Sequence, residues 1–371
     1  MPETMLDAAV NVVAEIHGRV GFITLNRPKA LNALSLAMIR ELTATLVAWR
    51  DDTQVLAVVV RGMGKEGPFG AFCAGGDIRF FHQAALAGDN ALEDFFTEEY
   101  SLNHLIHTYP KPYIAFMDGI VMGGGMGISQ GASVRIVSER TKMAMPETNI
   151  GLFPDVGGGY FLSRCPGRAG EYLAMTGHML GGREAVILGL ADGFMESGRL
   201  PVLWDSLINT PFESAEAVEH WVRTKFMADH SHPNVAAQAQ ARIDKYFGLP
   251  TVKAIIDALE ADTSEWAKET AAALRKRSPL MLSVVLEQVR RARKLGLSDD
   301  LRMERDLVHS CFHLRPGAAS ETVEGIRALA VDKDQSPKWN PARIEDVTKE
   351  MVGAFFESPW TADAHPLKSL R

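Results

Sequence analysis

Three short runs constrain the fold more than anything else in the chain: "VLAVVVRG" (residues 55–62), "KPYIAFMDG" (111–119) and "ASVRIVSE" (132–139). Each is almost continuously apolar and rich in β-branched or aromatic residues, as strands buried on both faces are. A glycine-rich segment, "MGGGMGIS" (122–129), stands between the second and third and opens a predicted helix. Upstream, "NVVAEIHGRVGFITLNRP" alternates in two β segments joined at His17-Gly18, a hairpin signal. In "LSLAMIRELTATLVAWRDD" the apolar residues Leu34, Met38, Leu42, Leu46 and Trp49 follow helical spacing, with Ser35 as N-cap. The strand–strand–helix unit recurs to about residue 210.

Beyond that point the texture changes. "SAEAVEHWVRTKF", "VAAQAQARIDKYF", "TVKAIIDALEADTSEWAKETAAALRKRS", "PLMLSVVLEQVRRARKLG" and "SDDLRMERDLVHSCFH" are helical in period. The expected organisation is a core over 1–210 and a mostly helical region over 211–371. A length of 371 residues accommodates both. The net charge of −7 disfavours nucleic acid as the main partner but leaves room for an anionic small ligand bound by backbone N–H groups. No apolar run reaches the roughly 18 residues of a membrane span. The acidic N-terminus fits neither a secretory signal nor a transit peptide. Cys73, Cys165 and Cys311 show no CxxC or metal spacing, so reduced thiols and a cytoplasmic protein are expected.

The chemistry-bearing candidates are glycines and acids. Gly75-Gly76 precede Asp77, and Gly123-Gly124-Gly125 lie between a strand and a helix. One N–H from each loop could converge on a single oxygen; tight packing turns would need the same residues. Glu147 and Asp155 sit in "AMPETNIGLFPDVGGGYF", an apolar run where carboxyl groups are costly. Burial would raise their pKa values and suit them to proton transfer or attack, while a turn-forming role is equally compatible. His309 and His313, four apart on a helix, lack an HExxH pattern or an evident carboxylate partner. His104 with His107, and His230 with His232, fare no better, so no metal site is expected. Cys73 reads as a small buried hydrophobe, and "RKRS" with "RRARK" as a solvated helix face.

"FCAGGDIR", "MGGGMGIS" and "AMPETNIGLFPDVGGGYFLSR", in this order, resemble the crotonase (enoyl-CoA hydratase/isomerase) superfamily. "TGHMLGGREAVILGLAD" continues the likeness, and "EGIRALAVDKDQSPKWNPARIEDV" resembles the tail of its thioester-hydrolase subgroup. The resemblance implies an α/β, crotonase-like (ClpP/crotonase) core of stacked ββα units with a helical C-terminal region. By position it implies that the N–H groups of Gly76 and Gly124 hold the thioester oxygen. Glu147 and Asp155 match the catalytic carboxylates, and Glu99 a substrate-contacting glutamate. Lys29, Ala30, Leu31, Ala74, Asp77 and Ile78 match segments that line the coenzyme A (CoA) site.

Hydratases of the superfamily carry a second glutamate three positions beyond the oxyanion glycine, and here that position is Gly127. The resemblance therefore implies hydrolysis of a short β-hydroxyacyl-CoA, with 3-hydroxyisobutyryl-CoA leading and valine catabolism as the setting. Glu147 would act as nucleophile or general base, and Asp155 would orient substrate or water or return a proton. A hydratase or isomerase on the same fold, and a non-catalytic acyl-CoA-binding protein, are the alternatives. The expected partner is the acyl-CoA itself, with neither nucleic acid nor membrane, and a homo-oligomer is compatible. No cofactor is expected, CoA being part of the substrate.

Overall fold

The computed structural model describes residues 10–225 and 233–371; His230 and His232 lie outside them. Strands β1 (Val12–His17) and β2 (Val20–Leu25) form the expected hairpin, with His17 opposite Val20 and Gly18 in the left-handed region at φ 58°. Then come β3 (Ala57–Gly64), β4 (Gly67–Pro68), β5 (Tyr113–Met117), β6 (Ile120–Met122), β7 (Val134–Val137), β8 (Lys142–Ala144), β9 (Leu180–Gly181) and β10 (Gly193–Phe194). The large sheet runs β1-β2-β3-β5-β7-β10, parallel after the hairpin, with β4 on β3. A second, small sheet is β6-β8-β9.

Successive strand residues point to opposite faces, and both faces of the large sheet are buried. Ile23, Leu25, Val58, Val60, Ala115 and Met117 face one apolar cluster, and Phe22, Val59, Ile114, Phe116 and Ile136 the other. This is why the three defining runs are apolar without alternation.

Helix α1 (Leu36–Asp51) buries Met38, Leu42, Leu46 and Trp49 as its spacing predicts, and the Ser35 hydroxyl accepts from Met38 N. It is followed by α2 (Ile78–Ala87), α3 (Ala91–His107), α4 (Gly124–Gln130), α5 (Gly158–Ser163), α6 (Ala169–Thr176) and α7 (Gly182–Ile187). Position 210 falls between α8 (Leu200–Asn209) and α9 (Ala215–Arg223), and both pack on the same face of the large sheet. The remaining helices are α10 (Pro233–Phe247), α11 (Val252–Glu260), α12 (Glu265–Arg275), α13 (Pro279–Ala292), α14 (Leu297–His313), α15 (Glu321–Ile326) and α16 (Lys349–Gly353). Their apolar faces join those of α1, α3 and the sheet in one continuous cluster.

The basic runs are not simply a solvated face. Arg293 reaches the carbonyls of Ser163 and Gly167 and the fully buried Glu171, and Arg277 donates to Thr176 O. These guanidinium groups satisfy carbonyls at the ends of α5 and α6 that have no helical partner.

One buried side chain ties together the loops that will matter. Asn32, at φ 56°, donates through Nδ2 to the carbonyls of Met63, Ala71 and Phe72 at 3.0, 2.9 and 3.1 Å, and accepts from Arg27 N through Oδ1. Asparagine tolerates the left-handed region better than most residues. Beside it, Ala74 N donates to Leu31 O, Leu34 N to Gly75 O, and Met122 N to Cys73 O. We expect Asn32→Ala to lower the unfolding free energy by roughly 2–3 kcal/mol, because buried carbonyls lose their donor. Denaturant melts measure this, and a loss under 0.5 kcal/mol (roughly the scatter of an ordinary surface change) would contradict it.

Candidate active site

Two glycine loops meet beside the small sheet. Gly75 takes φ 101° and Gly123 takes φ 48°, conformations that favour glycine. They bring backbone close to backbone: a Cβ on Gly124 would lie 3.4 Å from Gly76 N, and one on Gly75 would lie 3.5 Å from Gly124 N. The bridge between Leu34 and Gly76 uses the N–H groups of Leu34 and Asp77 instead. Among the described residues neither Gly76 N–H nor Gly124 N–H has an acceptor. Two adjacent, unused N–H donors are what a developing oxyanion requires.

Three carboxyl groups close on the same space. Glu99 comes from α3, Glu147 opens a turn of 3-10 helix (Glu147–Ile150) after Pro146, and Asp155 lies in the loop before α5. All are buried, at 2, 7 and 5 % exposure. With Gly75, Gly76 and Gly123 they line a cavity of about 140 Å³. Glu99 Oε1 and Glu147 Oε2 have no hydrogen-bond partner in the protein. The Tyr100 hydroxyl donates to Asp155 Oδ2 at 2.8 Å.

The electrostatics follow from burial and like charge. Burial, and then the charge of Asp155, raise Glu147 well above the ordinary carboxylate range. Burial, then Asp155 and Glu147, do the same to Glu99. Asp155 rises only to about 6, because the burial that pushes it up is opposed by the Tyr100 hydroxyl. The three acids are therefore each held above their ordinary values and titrate as a group.

Of the expected CoA-site residues, Ala74 and Ile78 line this cavity. Lys29 is exposed on the turn Pro28–Ala30, and Leu31 and Ala74 are joined backbone to backbone beside it. Asp77 caps α2 and its carboxylate pairs with Arg27 at 3.0 Å. Gly127 is packed tight: a Cβ there would lie 2.6 Å from Val156 Cβ and 2.9 Å from Asn103 Nδ2. Val156, next to Asp155, holds φ 57°, an outlier for a β-branched residue.

Sequence reasoning missed Tyr100, although it adjoins Glu99 in "TEEYSLN". It also missed Asp300 and Glu304, acids four apart on the buried face of α14. That spacing in "SDDLRMERDL" was the available signal. His309 and His313 do have a carboxylate partner, contrary to expectation: Glu93 of α3 lies 3.2 and 3.6 Å from their Nδ1 atoms. Arg305 pairs with the same carboxylate. Burial pushes Glu93 up, but the His309 hydrogen bond and Arg305 outweigh it and bring it down to about 2. A guanidinium already compensates this charge, so the cluster reads as an ion-pair network joining α3 to α14. Cys73 is buried, and burial pushes its thiol up to about 12, an inert group as expected.

A ββα-built core with paired N–H donors facing buried acids defines an acyl-thioester-handling class of enzyme folds. The chain belongs to the enoyl-CoA hydratase/isomerase family, whose model matches residues 20–356. Among its relatives are the mitochondrial 3-hydroxyisobutyryl-CoA hydrolases of Gallus gallus and Homo sapiens. The first is 41% identical, covering 95% of this chain and 90% of that one. The second is 39% identical, covering 96% and 91%. Similar solved structures include a carnitinyl-CoA dehydratase from Mycobacterium thermoresistibile, with TM-score 0.82, 39% identity and coverage of 94% and 96%. An enoyl-CoA hydratase from Rhodobacter sphaeroides has TM-score 0.83 and 36% identity, covering 94% and 98%.

The vertebrate relatives' mitochondrial designation overturns the cytoplasmic placement expected from the sequence. Buried reduced thiols and an acidic N-terminal composition report on local chemistry and do not separate one reducing compartment from another. No helix among the described residues is long and apolar enough to cross a membrane.

The raised acids carry a stability signature. Below pH 3.8, the ordinary value for Asp155, the carboxyl is protonated whether the chain is folded or not. As pH rises towards 6, the unfolded chain releases a proton that the folded pocket retains, so stability falls across that window. Relative to Asp155→Asn, the wild type should lose roughly 1–3 kcal/mol of unfolding free energy over this range. Denaturant unfolding at stepped pH measures the difference. Parallel curves would mean that Asp155 is not held above its ordinary value.

Proposed function

We propose that the chain hydrolyses a short β-hydroxyacyl-CoA thioester, foremost 3-hydroxyisobutyryl-CoA, to the free hydroxy acid and CoA. The compartment this reading takes from the vertebrate relatives is the mitochondrion, and the pathway is valine breakdown. The observation that carries it is the pairing of two unused N–H donors, Gly76 and Gly124, with a pocket containing Glu147 and Asp155. A binding module has no need of desolvated carboxyl groups at a thioester.

The thioester oxygen would accept from both N–H groups, which stabilise the negative charge that develops as the carbonyl becomes tetrahedral. Of the protons the acids share, the ionised acid acts on the carbonyl and the protonated one acts on the leaving group. Glu147, once ionised, either attacks the carbonyl carbon or takes a proton from the attacking water. Breaking the C–S bond then releases a thiolate, which takes up the proton to give free thiol; on the attack route water then hydrolyses the Glu147–acyl anhydride, releasing the hydroxy acid and restoring the Glu147 carboxyl. Asp155, which the Tyr100 hydroxyl favours as the anion, receives a proton from Glu147 in this scheme and holds it for that step. Glu99, raised by burial, stays protonated and can donate to the β-hydroxyl of the substrate. The reaction requires no cofactor beyond the CoA of its substrate.

Hydration of a double bond is the second reading, given the names of the similar solved structures. The resemblance places the second acid of a hydratase at position 127, and here that residue is a glycine walled in by Val156 and Asn103.

Thiol release from 3-hydroxyisobutyryl-CoA should far exceed hydration of crotonyl-CoA, followed as loss of enoyl absorbance; comparable hydration would refute the reading. Glu147→Gln should lower kcat by roughly a thousandfold or more with little change in KM. Gly124→Ala, whose Cβ would lie 2.5 Å from Glu99 Oε1, should lose roughly a hundred- to thousandfold by displacing an oxyanion donor. Near-normal turnover in both variants would make these residues structural.

A further inference from the structure

The helical C-terminal half grips the catalytic loop on both sides of Asp155. From α13, Gln288 Nε2 donates to Pro154 O at 2.7 Å, one residue before the acid. From α14, Glu304 accepts Gly157 N through Oε2 at 2.7 Å and Gly159 N through Oε1 at 2.8 Å, just after it. Gln288 Nε2 also lies 3.3 Å from Glu304 Oε1, so the two clamps touch each other. One turn earlier on α14, Asp300 accepts Tyr160 N at 2.8 Å.

Both Gln288 and Glu304 have no exposed surface. A carboxyl group is a costly way to satisfy two amides in a dry interior, where a hydroxyl or amide side chain would serve. What it offers is a rigid two-oxygen fork between amides two residues apart. The clamped segment needs holding, since Val156 (φ 57°) and Gly157 (φ 83°) are both left-handed. A β-branched residue persists there only where its surroundings over-determine it. Position 156 is also the link between Asp155 and the clamp.

We propose that Glu304 and Gln288 are positioning residues for the reaction: by fixing loop 154–159 they keep the Asp155 carboxyl in the thioester pocket, so the C-terminal helices are required for turnover as well as for stability. This rests on the hydrolase reading above.

Glu304→Gln and Gln288→Met, each alone and combined with Asp155→Asn, test it with 3-hydroxyisobutyryl-CoA. Each single variant should lower kcat roughly ten- to hundredfold, the scale of an ångström-sized misplacement, with KM within about threefold. In the Asp155→Asn background the same substitutions should cost little more, because the group they position is already gone. Wild-type kcat in both single variants, or losses that multiply in that background, would overturn the proposal. Should Glu304→Gln fail to fold, Gln288→Met alone decides, because it removes one neutral donor and no charge.

A readout without turnover separates this from failure of the hydrolase reading. In protein labelled with ¹³C at aspartate carboxyls, the signal missing from Asp155→Asn identifies Asp155. Gln288→Met should shift its titration midpoint, and an unmoved midpoint overturns the clamp. Absence of thiol release by the wild type sinks only the functional reading, and the titration still decides the clamp.

Discussion

Three carboxyl groups buried around one small cavity cannot all be ionised, and the rest of the site is arranged around that constraint. Burial raises all of them first; the charge of Asp155 then raises Glu147, and those of Asp155 and Glu147 raise Glu99. The single hydroxyl of Tyr100 breaks the symmetry by favouring the anion at Asp155. A group held near 6 beside groups held higher is poised to exchange protons at neutral pH, which is where acid–base chemistry is most efficient. Such a pocket gains its properties only if the acids stay where they are, because a small outward rotation would let water in and restore ordinary values.

Backbone geometry and buried side-chain hydrogen bonds together supply that fixity. Gly75 and Gly123 take conformations that let the two loops lie backbone against backbone, where a Cβ on Gly75 would lie only 3.5 Å from Gly124 N. Asn32 joins three carbonyls of the β3–β4 segment and the strand-like stretch after it, so the loop carrying Gly75 and Gly76 has little freedom to withdraw. Gly124 lies two residues past the end of β6, at the carboxyl end of a strand, where α/β folds commonly place their ligands.

What could be read from the sequence was local. The hairpin and the face of α1 are written in periods of two and 3.6 and the buried strands in unbroken apolar runs, and the structure has them where those patterns put them. Glu147 and Asp155 stood out because acids in an apolar run need a reason. Tyr100 did not, because its meaning depends on a residue 55 positions away. Glu304 and Gln288 lie still further from the loop they hold, at separations of 147 and 134 residues. The arginines of "RRARK" misled for the same reason: their alkyl stems and charge look like a solvated face until the distant carbonyls they satisfy are in place.

The choice between hydrolysis and hydration is also a matter of backbone. Position 127, the fourth residue of α4, closes its first turn, and Val156 fills the space a side chain there would need. Val156 cannot simply move aside, because its left-handed backbone sits between Asp155 and the amides of Gly157 and Gly159, which are bound to Glu304. Bringing an acid to 127 therefore means displacing the loop that carries Asp155. In this backbone a side chain at 127 and the loop that carries Asp155 compete for the same space.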